Sequence, residues 1–195
     1  MKLRGLYAIT PETLDSAPLV EKVRAALEGG IALLQYRRKL RSDTAEAETL
    51  MRLAHSFGVS FIVNDDVELA QRLGADGVHV GREDADVSAT KKRIPMVGAS
   101  AYNDLERARQ VVRAGADYVA FGSVFASPTK PAAPRASLSL FRNDLGVPLC
   151  AIGGITLENA PALIDAGASL LAVISDLFDA PDVRSRARDY GRLFT

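Results

Sequence analysis

Three octets of the chain repeat one pattern: L-G-A-D-G-V-H-V from Leu73, A-G-A-D-Y-V-A-F from Ala114 and A-G-A-S-L-L-A-V from Ala166. Each sets a helix-stopping glycine just ahead of a short apolar run. Such runs are too short for helices, are rich in β-branched residues and lack period-2 alternation, so they read as strands covered on both faces. The same kind of run recurs at Gly5 to Thr10, Ile31 to Tyr36, Phe61 to Val63, Val78 to Val80, Met96 to Ser100, Tyr118 to Gly122, Leu149 to Gly153 and Leu170 to Ile174. Between and after them, helices are predicted over about Pro18 to Leu27, Asp43 to Phe57, Val67 to Leu73 and Asp86 to Arg93. A fifth, capped by Asn103 or Asp104, ends at Gly115, and three more run over Ser137 to Leu145, Leu157 to Asp165 and Asp182 to Leu193. Alternation of this kind predicts an α/β fold, a single-domain (β/α)8 TIM barrel. A doubly wound open sheet shares the alternation, but would not gather the polar residues that follow nearly every strand into one place; a barrel would.

With 195 residues and no linker or composition shift, residues 1–195 are expected to form one domain. Its 24 basic and 24 acidic residues cancel and are dispersed, leaving no electrostatic footprint for nucleic acid or an anionic membrane. A small, locally charged ligand fits better. The N-terminal apolar run is too short for a signal peptide, no segment approaches a membrane span, and the single Cys150 has no internal disulfide partner, so a cytoplasmic location is expected. Residues 123–135, rich in Pro, Ala and Ser, are longer than a minimal connection and read as an active-site lid.

Polar groups cluster at the C-terminal ends of the strands. After strand two, Gln35, Arg37 and Lys39 alternate to one side, three donors suited to a phosphate or diphosphate, although a basic strand end facing water would look the same. Asn64, Asp65 and Asp84 follow strands three and four; cations and carboxylates together are what a diphosphate with its magnesium needs, and Asp65 and Asp84 are the candidate metal ligands. Asp66 and Glu83 read instead as a helix cap and a solvated charge. Ser100 ends strand five, as a ligand contact or a cap. His55 reads as surface, His79 as a hydrogen-bonded structural residue beside the barrel mouth, and Cys150 as an inert buried thiol. No triad is recognisable. The lid carries Ser127, Thr129 and Lys130; Gly153-Gly154 after strand seven and Ile174-Ser175 after strand eight stand where barrels often bind phosphate.

Seven stretches in order, Q-Y-R-R-K, V-N-D-D-V-E-L-A, A-D-G-V-H-V-G-R-E-D, G-A-S-A-Y-N, G-A-D-Y-V-A-F-G-S-V-F-A-S-P-T-K-P, A-I-G-G-I-T and A-V-I-S, resemble the thiamine phosphate synthase family over nearly the full chain. The resemblance implies a transferase joining 4-amino-5-hydroxymethyl-2-methylpyrimidine diphosphate to 4-methyl-5-(2-hydroxyethyl)thiazole phosphate, with Mg2+ as cofactor. It implies that Gln35 orients the pyrimidine and that Arg37, Lys39, Asn64 and Lys130 hold the diphosphate. Asp65 and Asp84 would bind the metal, and Ser100 would lie near the pyrimidine and the departing pyrophosphate. Ser127, Thr129, Gly154, Ile174 and Ser175 would serve the thiazole phosphate. Arg37, Lys39, Lys130 and Ser100 are thus the catalytic candidates. Small-molecule substrates are the implied partners, with no nucleic acid and no membrane; a homodimer is left open.

The chain departs from the family pattern at Arg38, where an acid is usual, at Arg82 for Gln, at Ser123 for Pro and at Ser127 for Thr. Arg38 and Arg82 would make the diphosphate end more positive. Two other readings share the barrel: a thiazole tautomerase, which needs a general base where Tyr102 stands, and a non-catalytic phosphate-binding barrel, which would not need both acids.

Overall fold

The computed structural model describes residues 3–12, 14–39, 43–81, 85–126 and 135–195. Eight parallel strands close into a barrel in sequence order. They are β1 (Gly5–Ile9), β2 (Leu33–Tyr36), β3 (Ser60–Asn64), β4 (Gly77–Val80), β5 (Met96–Tyr102), β6 (Tyr118–Gly122), β7 (Leu149–Ile152) and β8 (Leu170–Val173). Pairing of β8 with β1, Gly5 opposite Leu170 through Ala8 opposite Val173, completes the ring. A closed ring leaves no strand edge, and sequential parallel pairing requires each crossover to pass outside it.

The crossovers carry α1 (Ser16–Glu28), α2 (Thr44–Ser56), α3 (Val67–Leu73), α4 (Val87–Lys91), α5 (Leu105–Arg113), a 3₁₀ turn (Leu138–Arg142) and α6 (Ala160–Asp165), with α7 (Ser175–Phe178) and α8 (Val183–Arg192) after β8. The hidden alternation of the strands is resolved by two cores. Tyr7, Ile9, Leu33, Ile62, Tyr118, Cys150 and Leu170 fill the barrel interior. Their neighbours Leu6, Ala8, Leu34, Phe61, Val63, Val119 and Leu171 pack outward against the helices. Both faces are apolar because both are buried, worth about 1.5–3 kcal/mol for each large aliphatic side chain removed from water.

Caps fix where helices begin. Asp43 accepts from the backbone N–H of Ala45 and Glu46, Asp66 from Leu69, Asp86 from Ala89, Asp104 from Arg107 and Asp182 from Ser185. Two predicted elements differ. The helix expected over Ser137 to Leu145 is one 3₁₀ turn, because Asn143 Nδ2 donates to the carbonyls of Ser139 and Leu140 and stops it. The helix expected from Leu157 begins only at Ala160, because Thr156 and Asn159 bond each other across a turn and Asn159 Nδ2 also ties Gly154 O. Among the described residues no helix is long and apolar enough to cross a membrane.

Candidate active site

The C-terminal ends of the strands open on a cavity of about 750 Å3. Alternation along β2 places Gln35, Arg37 and Lys39 on its wall, and Asn64, Asp65, Ser100, Gly154, Ile174 and Ser175 line it as well. Residues from five different strand ends therefore meet, which is what closure of the sheet does and an open sheet would not. Ser127, Thr129, Lys130 and Asp84 lie outside the described residues, as do Arg82, Glu83 and most of the expected lid.

On the β2–β3 side of the mouth, opposite charges pair. Lys39 Nζ lies 3.1 Å from Asp65 Oδ2, which also accepts from Asn64 Nδ2 at 2.6 Å. Arg37 faces Glu12 at 3.7 Å. Asp65 has φ 64, the left-handed region that Asp and Asn enter more easily than other non-glycine residues. Its backbone N–H is held by His79 O at 2.8 Å, so the carboxylate is aimed by backbone geometry as well as by its partners. On the far side, Gly153 and Gly154 have φ 103 and φ 65. A Cβ at Gly154 would stand 2.3 Å from Ala126 O, so only glycine lets the β7 loop pass this close to the chain leaving β6.

Arg38 corrects one expectation. Alternation turns it away from the cavity, and it does not add positive charge there: its side chain is 4 % exposed and meets the Glu46 side chain, 2 % exposed, through Nε at 2.8 Å and Nη2 at 2.9 Å. Its other N–H groups donate to Glu12 O and Leu14 O, pinning the β1–α1 loop to α2. Burial works against the charge of Glu46, but bonds from Arg38, Ser16 and Tyr36 outweigh it and hold the carboxyl below the ordinary range. Tyr36, packed in the same cluster, is pushed up to about 12, chiefly by burial. A carboxyl with a depressed folded pKa stabilises the fold above its unfolded value and loses that contribution as pH falls through the folded one. Stability is thus expected to decline below about pH 4. Glu46→Ala, which strands a buried guanidinium, is expected to cost about 3–5 kcal/mol in urea unfolding at pH 7. It should also flatten the acid limb of the wild-type profile.

The remaining sequence readings are placed plainly. His55 is exposed and bonds Asp76 Oδ2 at 2.7 Å, bracing the start of β3, whose Phe61 N–H donates to the same oxygen. Cys150 is buried and burial pushes its thiol far up, so it stays protonated and unreactive. His79 is hydrogen-bonded, as expected, yet also lines the cavity. Tyr7 lines the cavity floor beside it, and Tyr118 packs in the barrel interior against both. Both tyrosines lie inside apolar runs that read as strands; the available signal is a phenolic hydroxyl inside such a run, which must find a partner when buried. The four-residue α7 was also not foreseen, and it carries Asp176, a cavity residue held by Arg186 at 2.7 Å and Tyr190 Oη at 2.7 Å.

A single (β/α)8 barrel with a polar cavity at the C-terminal ends of its strands belongs to the barrels that gather a site from many strand ends into that one place. Comparison with known proteins narrows the class. Residues 6–177 match the family described as thiamine monophosphate synthase. The thiamine-phosphate synthase of Aromatoleum aromaticum is 54% identical over 202 residues, covering 99% of this chain and 97% of its own. That of Thiobacillus denitrificans is 51% identical over 199 residues, covering 97% and 94%. A solved thiamine phosphate pyrophosphorylase from Pyrococcus furiosus superposes with TM-score 0.85 at 33% identity, covering 99% of this chain and 96% of that one. A 3-hexulose-6-phosphate synthase, at 18% identity and TM-score 0.78, shares the fold alone. The chain belongs to the thiamine monophosphate synthase family, and with it to the transferases.

Proposed function

We propose that the protein forms thiamine phosphate and pyrophosphate from 4-amino-5-hydroxymethyl-2-methylpyrimidine diphosphate and 4-methyl-5-(2-hydroxyethyl)thiazole phosphate. The observation that carries this reading is the meeting of Gln35, Arg37, Lys39, Asn64, Asp65 and Ser100 in one cavity with the Gly153-Gly154 loop. That cavity is large enough for two small substrates side by side. Gln35 and Ser100 take the pyrimidine. Arg37, Lys39 and Asn64 take the diphosphate, with Lys130 joining them from the segment after β6. Gly154, Ile174 and Ser175 take the thiazole phosphate, with Ser127 and Thr129 beside it.

Asp65 suits a magnesium ion in its chemistry: a hard oxygen donor whose Oδ2 is engaged by Asn64 and Lys39 while Oδ1 has no partner among the described residues. Asp84 is proposed as the second ligand. A bound magnesium ion would supply neutralisation of the diphosphate. The reaction then asks of the protein no nucleophile. The bond between the pyrimidine methylene and the diphosphate oxygen breaks with its electron pair leaving on pyrophosphate. The thiazole nitrogen then gives its lone pair to the methylene carbon, forming the new C–N bond. Arg37 and Lys39 stabilise the charge that grows on the leaving oxygen, and the two ends of the cavity hold nitrogen and carbon in line.

Purified protein given both substrates and magnesium is expected to release one pyrophosphate for each thiamine phosphate formed. Folded protein that releases none, or that releases it without coupled product, contradicts the reading.

A further inference from the structure

A single line of side chains crosses the barrel beneath the cavity. Gln35 Nε2 donates to Tyr7 Oη at 2.6 Å, and the hydroxyls of Tyr7 and Tyr118 are 2.8 Å apart. Tyr118 Oη lies 3.1 Å from His79 Nδ1, and His79 Nε2 lies 2.9 Å from Ser100 Oγ. The line thus runs from β2 through β1, β6 and β4 to β5. Gln35, Tyr7, Tyr118 and His79 are all buried. The residues at its two ends, Gln35 and Ser100, both reach the cavity.

Counting protons gives the line a direction. Tyr7 Oη receives the Gln35 N–H, and its other partner among the described residues is Tyr118 Oη, so its own proton goes there. Tyr118 Oη, already an acceptor, passes its proton to His79 Nδ1. With Nδ1 accepting, the ring is the neutral tautomer protonated at Nε2, and Nε2–H donates to Ser100 Oγ. Ser100 accepts that bond and keeps its own proton for the cavity, since no side chain or carbonyl among the described residues takes it. At the other end, an amide whose nitrogen is committed to Tyr7 turns its carbonyl oxygen away from the tyrosine.

We propose that His79 is a positioning residue: the line Gln35–Tyr7–Tyr118–His79–Ser100 holds it as the Nε2–H tautomer and so fixes Ser100 as a hydrogen-bond donor, and the Gln35 carbonyl as an acceptor, toward the pyrimidine. The inference rests on Gln35 and Ser100 being the pyrimidine contacts. An aminopyrimidine diphosphate offers the complementary groups, an amino N–H for the amide oxygen and ring-nitrogen or leaving-oxygen lone pairs for the serine. Run the other way, the line would place the proton on His79 Nδ1, and Ser100 would present only lone pairs. Buried hydrogen-bond chains polarise as a unit, so one phenol reaches both ends.

Nitrogen NMR of the ¹⁵N-histidine-labelled full chain, without substrates, reads the tautomer directly. The chain has only two histidines, and His55→Gln assigns the second signal. The expected spectrum gives His79 an unprotonated Nδ1 and a protonated Nε2. A protonated Nδ1 overturns the proposal whatever the protein catalyses, so this failure is separate from failure of the functional reading. Tyr118→Phe, which keeps the ring and removes the proton, is expected to shift the His79 signals toward a tautomer mixture. It should lower kcat about tenfold, the scale of one lost hydrogen bond, with KM for thiazole phosphate unchanged. Unchanged signals and unchanged kcat in that variant also overturn it.

Discussion

Asp65→Asn is expected to lower turnover by about 10²-fold or more, the scale of losing one preorganised electrostatic contact. The substitution is chosen because it spares the fold. Asn enters the left-handed region as readily as Asp does, so φ 64 costs it little. Its amide oxygen can still accept from Asn64 Nδ2, and its backbone N–H still reaches His79 O. What it loses is the negative charge that faces Lys39 and that a cation would need. Steady-state kinetics beside a circular dichroism spectrum separates the two effects. An unchanged spectrum with near-wild-type turnover would remove Asp65 from the proposed machinery.

Gly98→Ala is expected to destabilise the fold by at least about 3 kcal/mol, as overpacking does where nothing can yield. A Cβ there would stand 2.0 Å from Tyr118 Cζ and 2.3 Å from its hydroxyl. The ring has no exposure and no free side to turn to, and its hydroxyl is held by Tyr7 and His79. The chain thus leaves out a methyl group on β5 to seat a phenol from β6, and that phenol is the middle of the polar line under the cavity. Urea midpoints of the two proteins measure the cost. A shift within the scatter of a surface substitution would mean that the ring has room the packing does not provide.

Strands were legible wherever an apolar run followed a Gly-Ala turn, because a barrel strand buried on both faces leaves little choice of residue. The cavity wall on β2 was legible for the same geometric reason: alternation alone puts Gln35, Arg37 and Lys39 together. Arg38 is expected from the sequence to add charge at the diphosphate end and does not, because its partner Glu46 lies a turn into the next helix and gives no local sign in the sequence. Tyr7 and Tyr118 are 111 residues apart, and no local pattern could pair their hydroxyls across the barrel interior. The α7 turn escaped because S-D-L-F is shorter than the window over which helical periodicity can be seen.

The most direct test of the central claim follows thiamine phosphate as thiochrome fluorescence after oxidation, using folded wild-type protein with both substrates and magnesium and a parallel reaction in EDTA. Product is expected in the first, with its loss in EDTA and its recovery when excess magnesium is restored. Folded protein that gives no product would contradict the synthase reading outright. Product that persists undiminished in EDTA would contradict the role given to Asp65 and Asp84.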